Sequence, residues 1–271
     1  MQLAEYDFSG VCRGKRVGLV FNDGNAGDSL IAVGIRHWLQ DRGLDRIVTL
    51  HKDQVAGAEL DILIFGGGGN LIPAYETGFA TISIAYDQGM EVIVLPHTIH
   101  GREREWARMQ DRLTVFCRER RSYEHMLQAG FPAERLGLDH DMAFAARQRL
   151  FSVRSSVHRG GTGWLMRVDD EKHPQRPPPP PENFDASLSW NGSFWHNEGL
   201  SHHVASSLIA YISQFERVVT DRLHVAIAAY RMGIPTSFYE NRYYKNAAVH
   251  AYSMSSPGSS VTFFGHKDPA A

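Results

Sequence analysis

The run Asp61-Ile62-Leu63-Ile64-Phe65 leads straight into Gly66-Gly67-Gly68-Gly69. An apolar run without polar alternation suits a strand buried on both faces, as in a parallel sheet covered by helices. Residues 16–21 and 91–95 read the same way, and shorter strands are predicted at 47–50 and 113–117. Between them the sequence predicts helices over 30–42, 77–88, 102–112 and 123–129. Strands alternating with helices define a doubly wound α/β domain. The four glycines need a reason, because each loses much backbone entropy on folding. One reading is a loop whose N–H groups face an anion or a sugar. The other is a tight turn that lets strand and helix pack closely. The run is neither G-x-G-x-x-G nor a P-loop, since Asn70, Leu71 and Ile72 follow it.

With 271 residues, two domains are expected, 1–150 and 151–271, joined by a polar, basic stretch. The second opens on a strand over 163–171, which delivers Arg167, Asp169 and Glu171 at its carboxyl end. Five prolines, 177–181, are barred from sheet and helix and read as extended polyproline. Residues 172–191 are therefore an exposed insertion, either a mobile rim over a cleft or a passive linker. A helix is predicted over 198–211, and the Ser-, Gly- and Pro-rich tail from Ser253 is expected to be ordered only in part.

Charge is balanced, 28 Lys+Arg against 30 Asp+Glu, which argues against a general nucleic-acid binder. Cys12 and Cys117 have no metal or redox spacing and fit a reducing compartment. No signal-peptide layout and no apolar run of about 20 residues is present, so a soluble, cytoplasmic protein is expected. No metal-ligand cluster is visible.

The densest chemistry lies in 218–230. A short buried strand ends at Val219, Thr220 and Asp221 are candidate helix N-caps, and Leu223, Ile227 and Tyr230 recur at helical spacing. Arg222 and His224 thus sit at a strand's carboxyl end beside a helix N-terminus, where α/β folds bind anions. Arginine offers forked donors to a carboxylate or phosphate, and histidine can transfer a proton near neutral pH. The plainer alternative is that Asp221 only caps, Arg222 pairs on the surface and His224 is a satisfied, half-buried residue. His97, in the polar turn Pro96-His97-Thr98-Ile99, is either a strand-end binding residue or an ordinary solvated loop histidine.

Eight segments occur in an order that resembles the polysaccharide pyruvyl transferase family: Asn25-Ala26-Gly27-Asp28-Ser29-Leu30-Ile31, Gly66-Gly67-Gly68-Gly69-Asn70-Leu71, Leu95-Pro96-His97-Thr98-Ile99, Arg118-Glu119-Arg120-Arg121-Ser122, Asp141-Met142-Ala143-Phe144, Leu165-Met166-Arg167-Val168-Asp169, Thr220-Asp221-Arg222-Leu223-His224 and Asn241-Arg242-Tyr243-Tyr244-Lys245-Asn246. Each is weak alone, and together they span about 22–246. The resemblance implies two Rossmann-like doubly wound domains facing a cleft, similar to GT-B glycosyltransferases. It also implies transfer of pyruvate from phosphoenolpyruvate onto a sugar, as a ketal, with release of phosphate. The donor needs fixed cations, for which Arg167 and Arg222 are suited. Protonation of its methylene carbon needs an acid, for which His224 is suited. Asp221 is expected to cap the helix and orient Arg222. Asp28, Gly67, Gly68, Gly69, Asn70 and His97 are expected to face the acceptor in the first domain, with Asn241 and Lys245 adding polar groups in the second. No cofactor and no metal are implied. The expected partners are phosphoenolpyruvate and a sugar or lipid-linked oligosaccharide, and a lipid-linked acceptor is compatible with peripheral membrane association. Two other functions share these features: a GT-B-like glycosyltransferase using a nucleotide sugar, and a non-catalytic carbohydrate-binding protein.

Overall fold

The computed structural model describes residues 1–44, 46–157 and 160–265. In chain order the elements are α1 (Phe8–Cys12), β1 (Val17–Val20), β2 (Gly24–Asn25), α2 (Ala26–Gln40), β3 (Val48–Leu50), β4 (Ile62–Phe65), β5 (Gly68–Leu71), α3 (Thr77–Asp87), β6 (Glu91–Ile99), α4 (Glu103–Met109), β7 (Leu113–Cys117), α5 (Arg120–Gln128) and β8 (Leu136–Leu138). After these come β9 (Thr162–Trp164), β10 (Asn191–Gly192), α6 (Glu198–Ile212), β11 (Arg217–Thr220), α7 (Leu223–Met232), β12 (Thr236–Tyr239), α8 (Lys245–Ser253) and β13 (Val261–Phe264).

They form two compact units. The first comprises Met1–Asp23, Ile31–Ala146 and Ser193–Ser201; the second comprises Gly24–Leu30, Arg147–Gly192 and the chain from His202 onward. In the first unit the sheet order is β3-β1-β4-β6-β7-β8, with β5 also on β6, and every pairing is parallel. The apolar runs explain this, because β1, β4 and β7 are buried at every position. Leu63, Phe65, Val94, Ile82 and Trp106 form the centre of the core. Arg36 of α2 ties the segment 193–201 to this unit by donating to the carbonyls of Trp195 (2.9 Å) and His196 (2.8 Å). Burial lowers its guanidinium to about 10.

In the second unit β9, β11, β12 and β13 pair in parallel, in the order β13-β12-β11-β9. The two-residue strands β2 and β10 pair antiparallel. Contrary to expectation, the tail contributes a sheet strand, β13, paired with β12 along its whole length. The last residues of the tail, 266–271, lie outside the described residues.

Candidate functional site

In the second unit the strand ends β9 and β11 deliver a cluster of charge. Arg167 follows β9 and is buried. Its Nε donates to Asp169 Oδ1 at 2.7 Å, and its Nη1 lies 2.6 Å from Glu171 Oε2. Arg222 follows β11 and is also buried. It grips Asp185 through Nε (2.9 Å) and Nη2 (2.5 Å), and Nη2 lies 2.7 Å from Asp169 Oδ2. Both guanidinium groups therefore meet on one carboxylate, Asp169. Lys245 closes the group, 3.0 Å from Glu171 Oε2. Burial alone would lower Arg167, but Glu171 and Asp169 outweigh it and hold its guanidinium above the usual value. Burial would likewise raise Asp169, but the Arg167 hydrogen bond and both guanidinium charges keep it below the usual carboxylate range.

Asp221 does not do what its position suggested. Arg222 occupies the N-cap of α7 and makes no side-chain cap bond, while the Arg222 N–H donates to Thr220 Oγ1 at 3.0 Å. Asp221 turns away, accepting from the Arg167 N–H (2.7 Å) and from the guanidinium of Arg176. Arg222 is oriented by Asp185 and Asp169 instead, and it is not a surface pair. The Asp221 carbonyl also accepts from Asn246 Nδ2 (2.8 Å). Burial pushes the Asp221 carboxyl above its ordinary range, against the pull of Arg167 and Arg176. Asn241 is fully buried, and its Oδ1 accepts from the Asn246 N–H at 3.3 Å.

Arg176 and Asp185 come from the proline-bearing segment, which was expected to be a passive linker or mobile rim. It is pinned on both sides of the prolines. Arg176 also donates to the Arg167 carbonyl (2.7 Å), Asn183 exchanges two hydrogen bonds with the Met166 backbone, and Asp185 accepts from the Val168 N–H. Sequence reasoning missed both residues. Their one local signal is charge placed next to a run that cannot fold into sheet or helix.

His224 lies half-buried in the first turn of α7. The start of α2 packs against it, and a Cβ built on Gly27 would fall 2.6 Å from His224 Nδ1. That turn is a reciprocal cap: Asn25 Oδ1 accepts from the Gly27 N–H (2.9 Å) and Asp28 Oδ2 accepts from the Asn25 N–H (2.8 Å). Asp28 thus shapes the turn that presents Gly27 to the histidine.

In the first unit, His97 is not in a turn. β6 runs on through Ile99, with a register shift between Val94 and His97. The imidazole is fully buried, and Nε2 bonds Asn70 Oδ1 at 2.9 Å; that acceptor-only oxygen places the proton on Nε2. Burial, then the nearby Arg118 charge, lower His97 well below its usual value. It supports Asn70 rather than facing solvent. Close packing accounts for Gly67, where a Cβ would lie 2.9 Å from the Pro96 carbonyl oxygen, while Gly68 and Gly69 belong to β5. Arg118 and Asp141, from two further motifs, form a buried pair at 2.7 Å.

Among the described residues, no group of three or more His, Cys, Asp or Glu is placed to hold a metal ion, and no helix is long and apolar enough to cross a membrane.

Parallel sheets in both units and buried arginines at the strand ends of the second define a Rossmann-like α/β protein equipped for anionic chemistry. The chain belongs to the polysaccharide pyruvyl transferase family, whose model matches residues 25–243. Membership makes it a transferase and implies a sugar acceptor. A crystal structure of an uncharacterised protein from Klebsiella pneumoniae subsp. pneumoniae NTUH-K2044 is similar, with a TM-score of 0.79 and 32% identity over 92% of this chain and 93% of that one. A candidate UDP-N-acetylglucosamine 2-epimerase from Listeria monocytogenes has the same fold, with a TM-score of 0.50 and 10% identity over 83% and 79% of the two chains. Comparison with proteins of curated function gives no match.

Proposed function

We propose that this chain transfers pyruvate from phosphoenolpyruvate to two hydroxyls of a sugar in a cell-surface glycan precursor, forming a ketal. In that reaction the donor's methylene carbon gains a proton and becomes a methyl group. Two sugar oxygens bond to the adjacent carbon as its bond to the phosphate oxygen breaks. Of the two hydroxyl protons lost, one balances the methyl group and the other leaves with phosphate. Arg167 and Arg222 hold the donor's carboxylate and phosphate and stabilise the departing charge. His224 delivers the proton to carbon, a role worth roughly 10²–10⁴-fold in rate. Asp221 positions Arg167 through its backbone. Asn241 and Lys245 complete the second unit's polar wall, while Asn70 and the backbone of Gly67, Gly68 and Gly69 serve the acceptor.

The observation that carries this reading is the convergence of two buried guanidinium groups on the carboxylate of Asp169. A site that seats one carboxylate between two arginines has the chemistry to seat a donor's carboxylate. The test is calorimetric titration of phosphoenolpyruvate into wild type and Arg222→Ala near pH 7, with circular dichroism to check the fold. Binding by wild type that the variant loses supports the assignment. A folded wild type that ignores phosphoenolpyruvate and binds a nucleotide sugar overturns it.

A further inference from the structure

Large apolar side chains exposed singly are ordinary, but exposed as a group they mark a contact surface. In the second unit Phe184 (47% exposed), Leu188 (39%) and Trp190 (38%) lie close together, on and beside the short 3₁₀ turn Ala186–Ser189. The segment is held in place, because the Phe184 N–H donates to the Trp164 carbonyl at 3.0 Å and Asp185 grips Arg222.

Helix α6 carries the two aromatic rings. Its inner side buries Val204, Leu208, Ile209 and Ile212. Its outer side runs along His203, Ser207 and Tyr211, neighbours at a spacing of four residues. His203 and Ser207 are exposed, and Tyr211 is half-buried. Trp190 meets His203 edge-on with ring centroids 6.4 Å apart, and Phe184 meets Tyr211 in the same way at 5.4 Å. An aromatic pair therefore stands at each end of the ridge. Between them the outer side has only small residues, Ser206, Ser207 and Ala210.

This face is also without charge. In residues 183–192 and 202–215, Asp185 is the only Asp, Glu, Lys or Arg, although 21% of the whole chain is charged. Asp185 itself is buried against Arg222.

The absence of charge decides between occupants. Anionic lipid surfaces are met by Lys and Arg, and unlike proteins select one another by complementary charge. Neither finds a handle here. A second copy of the same face does, because uncharged faces meet across a two-fold axis without like-charge repulsion. Interface centres are depleted of charge and enriched in Trp, Tyr and Phe, as this face is. We infer that it pairs with itself, forming a two-fold dimer in which two copies of α6 run antiparallel and cross at Ser207. In such a contact residue i meets j and j meets i. With the axis at Ser207, His203 of one copy stands opposite Tyr211 of the other. Trp190 then packs near Phe184 of the second copy at both ends, and the small residues between them let the helices approach closely.

The test is sedimentation velocity on the full chain at pH 8, over a wide range of concentration. Ser207→Arg sets like charges against each other at the axis, from an exposed position, with circular dichroism to check the fold. A second variant, Ser207→Cys, is oxidised with copper phenanthroline to seek a disulfide between chains. Cys12 and Cys117 are buried and give no background. Ser256→Cys, exposed ahead of β13, is the control. The expected result is a wild-type dimer that weakens tenfold or more in Ser207→Arg, and cross-linking of Ser207→Cys but not of Ser256→Cys. A wild type that stays monomeric overturns the inference. So does a dimer that Ser207→Arg leaves at full strength, or one whose Ser207→Cys form stays unlinked. A monomer that binds phosphatidylcholine vesicles, and loses them in Trp190→Ser, gives the face to a membrane instead.

Discussion

Gly27 lacks a side chain where His224 needs the room: a Cβ there would lie 2.6 Å from Nδ1 and 2.8 Å from Cβ of the histidine. Gly27→Ala must therefore push the imidazole aside. Overpacking of this kind costs about 1–3 kcal/mol. If His224 is the proton donor, turnover should fall roughly 10²-fold, within the range of a lost acid. The double variant Gly27→Ala/His224→Ala should recover only part of the melting temperature, because a Cβ remains at position 224, and none of the turnover. Equal turnover in Gly27→Ala and wild type would remove His224 from the chemistry.

The donor must compete with carboxylates already on the arginines. Asp169 is the most exposed of them, with its side chain 35% exposed against 5% for Asp185 and none for Asp221. Asp169→Asn removes that competitor and should tighten phosphoenolpyruvate about fivefold, equivalent to roughly 1 kcal/mol. Weaker binding, read by calorimetry, would mean that Asp169 serves to orient the guanidinium groups.

Arg176 and Asp221 are a buried pair, so removing one partner strands the other. Arg176→Met is expected to cost about 3 kcal/mol or more in urea denaturation. Adding Asp221→Asn should return part of that loss. Absence of any effect would show that the segment is not held by this contact.

Glu119 caps α5 from a fully buried position, accepting from the Ser122 N–H at 2.9 Å and from the Ser122 hydroxyl. Burial raises its carboxyl above the ordinary range despite those bonds. A raised folded-state pKa stabilises the protein below the unfolded value and forfeits that stability as pH climbs through the folded value. Glu119→Gln keeps an acceptor for the cap without the charge. It should raise Tm at pH 7 by about 2–4 °C, the effect of roughly 1 kcal/mol in a chain this size. The gain should shrink as pH falls towards about 4.3, the ordinary glutamate value. An equal gain at both pH values would rule out titration as its cause.

The parallel sheets were legible because wholly apolar runs such as Ile62–Phe65 have one stable home. Arg167 and Arg222 were legible as strand-end cations. His97 was misread because Pro96, which cannot donate to a ladder, looks like a strand's end; a register shift lets β6 continue past it. Asp221 looked like a cap because its true partner, Arg176, lies 45 positions away in the chain. Asn183 and Asp185 looked solvated because nothing in their neighbourhood marks the backbone of Met166 and Val168 as their target. The tail strand was hidden by flanking Ser, Gly and Pro residues.

The five prolines stand between anchors, Arg176 before them and Asn183 and Asp185 after. Polyproline advances about 3.1 Å per residue and resists compression. Hydrogen bonds tolerate only a few tenths of an ångström before they fail. The run, with the turn that closes it where the Asn183 N–H donates to the Pro180 carbonyl at 3.0 Å, therefore acts as a ruler: adding or deleting a single residue should misplace Asp185 and, with it, the hand that steadies Arg222.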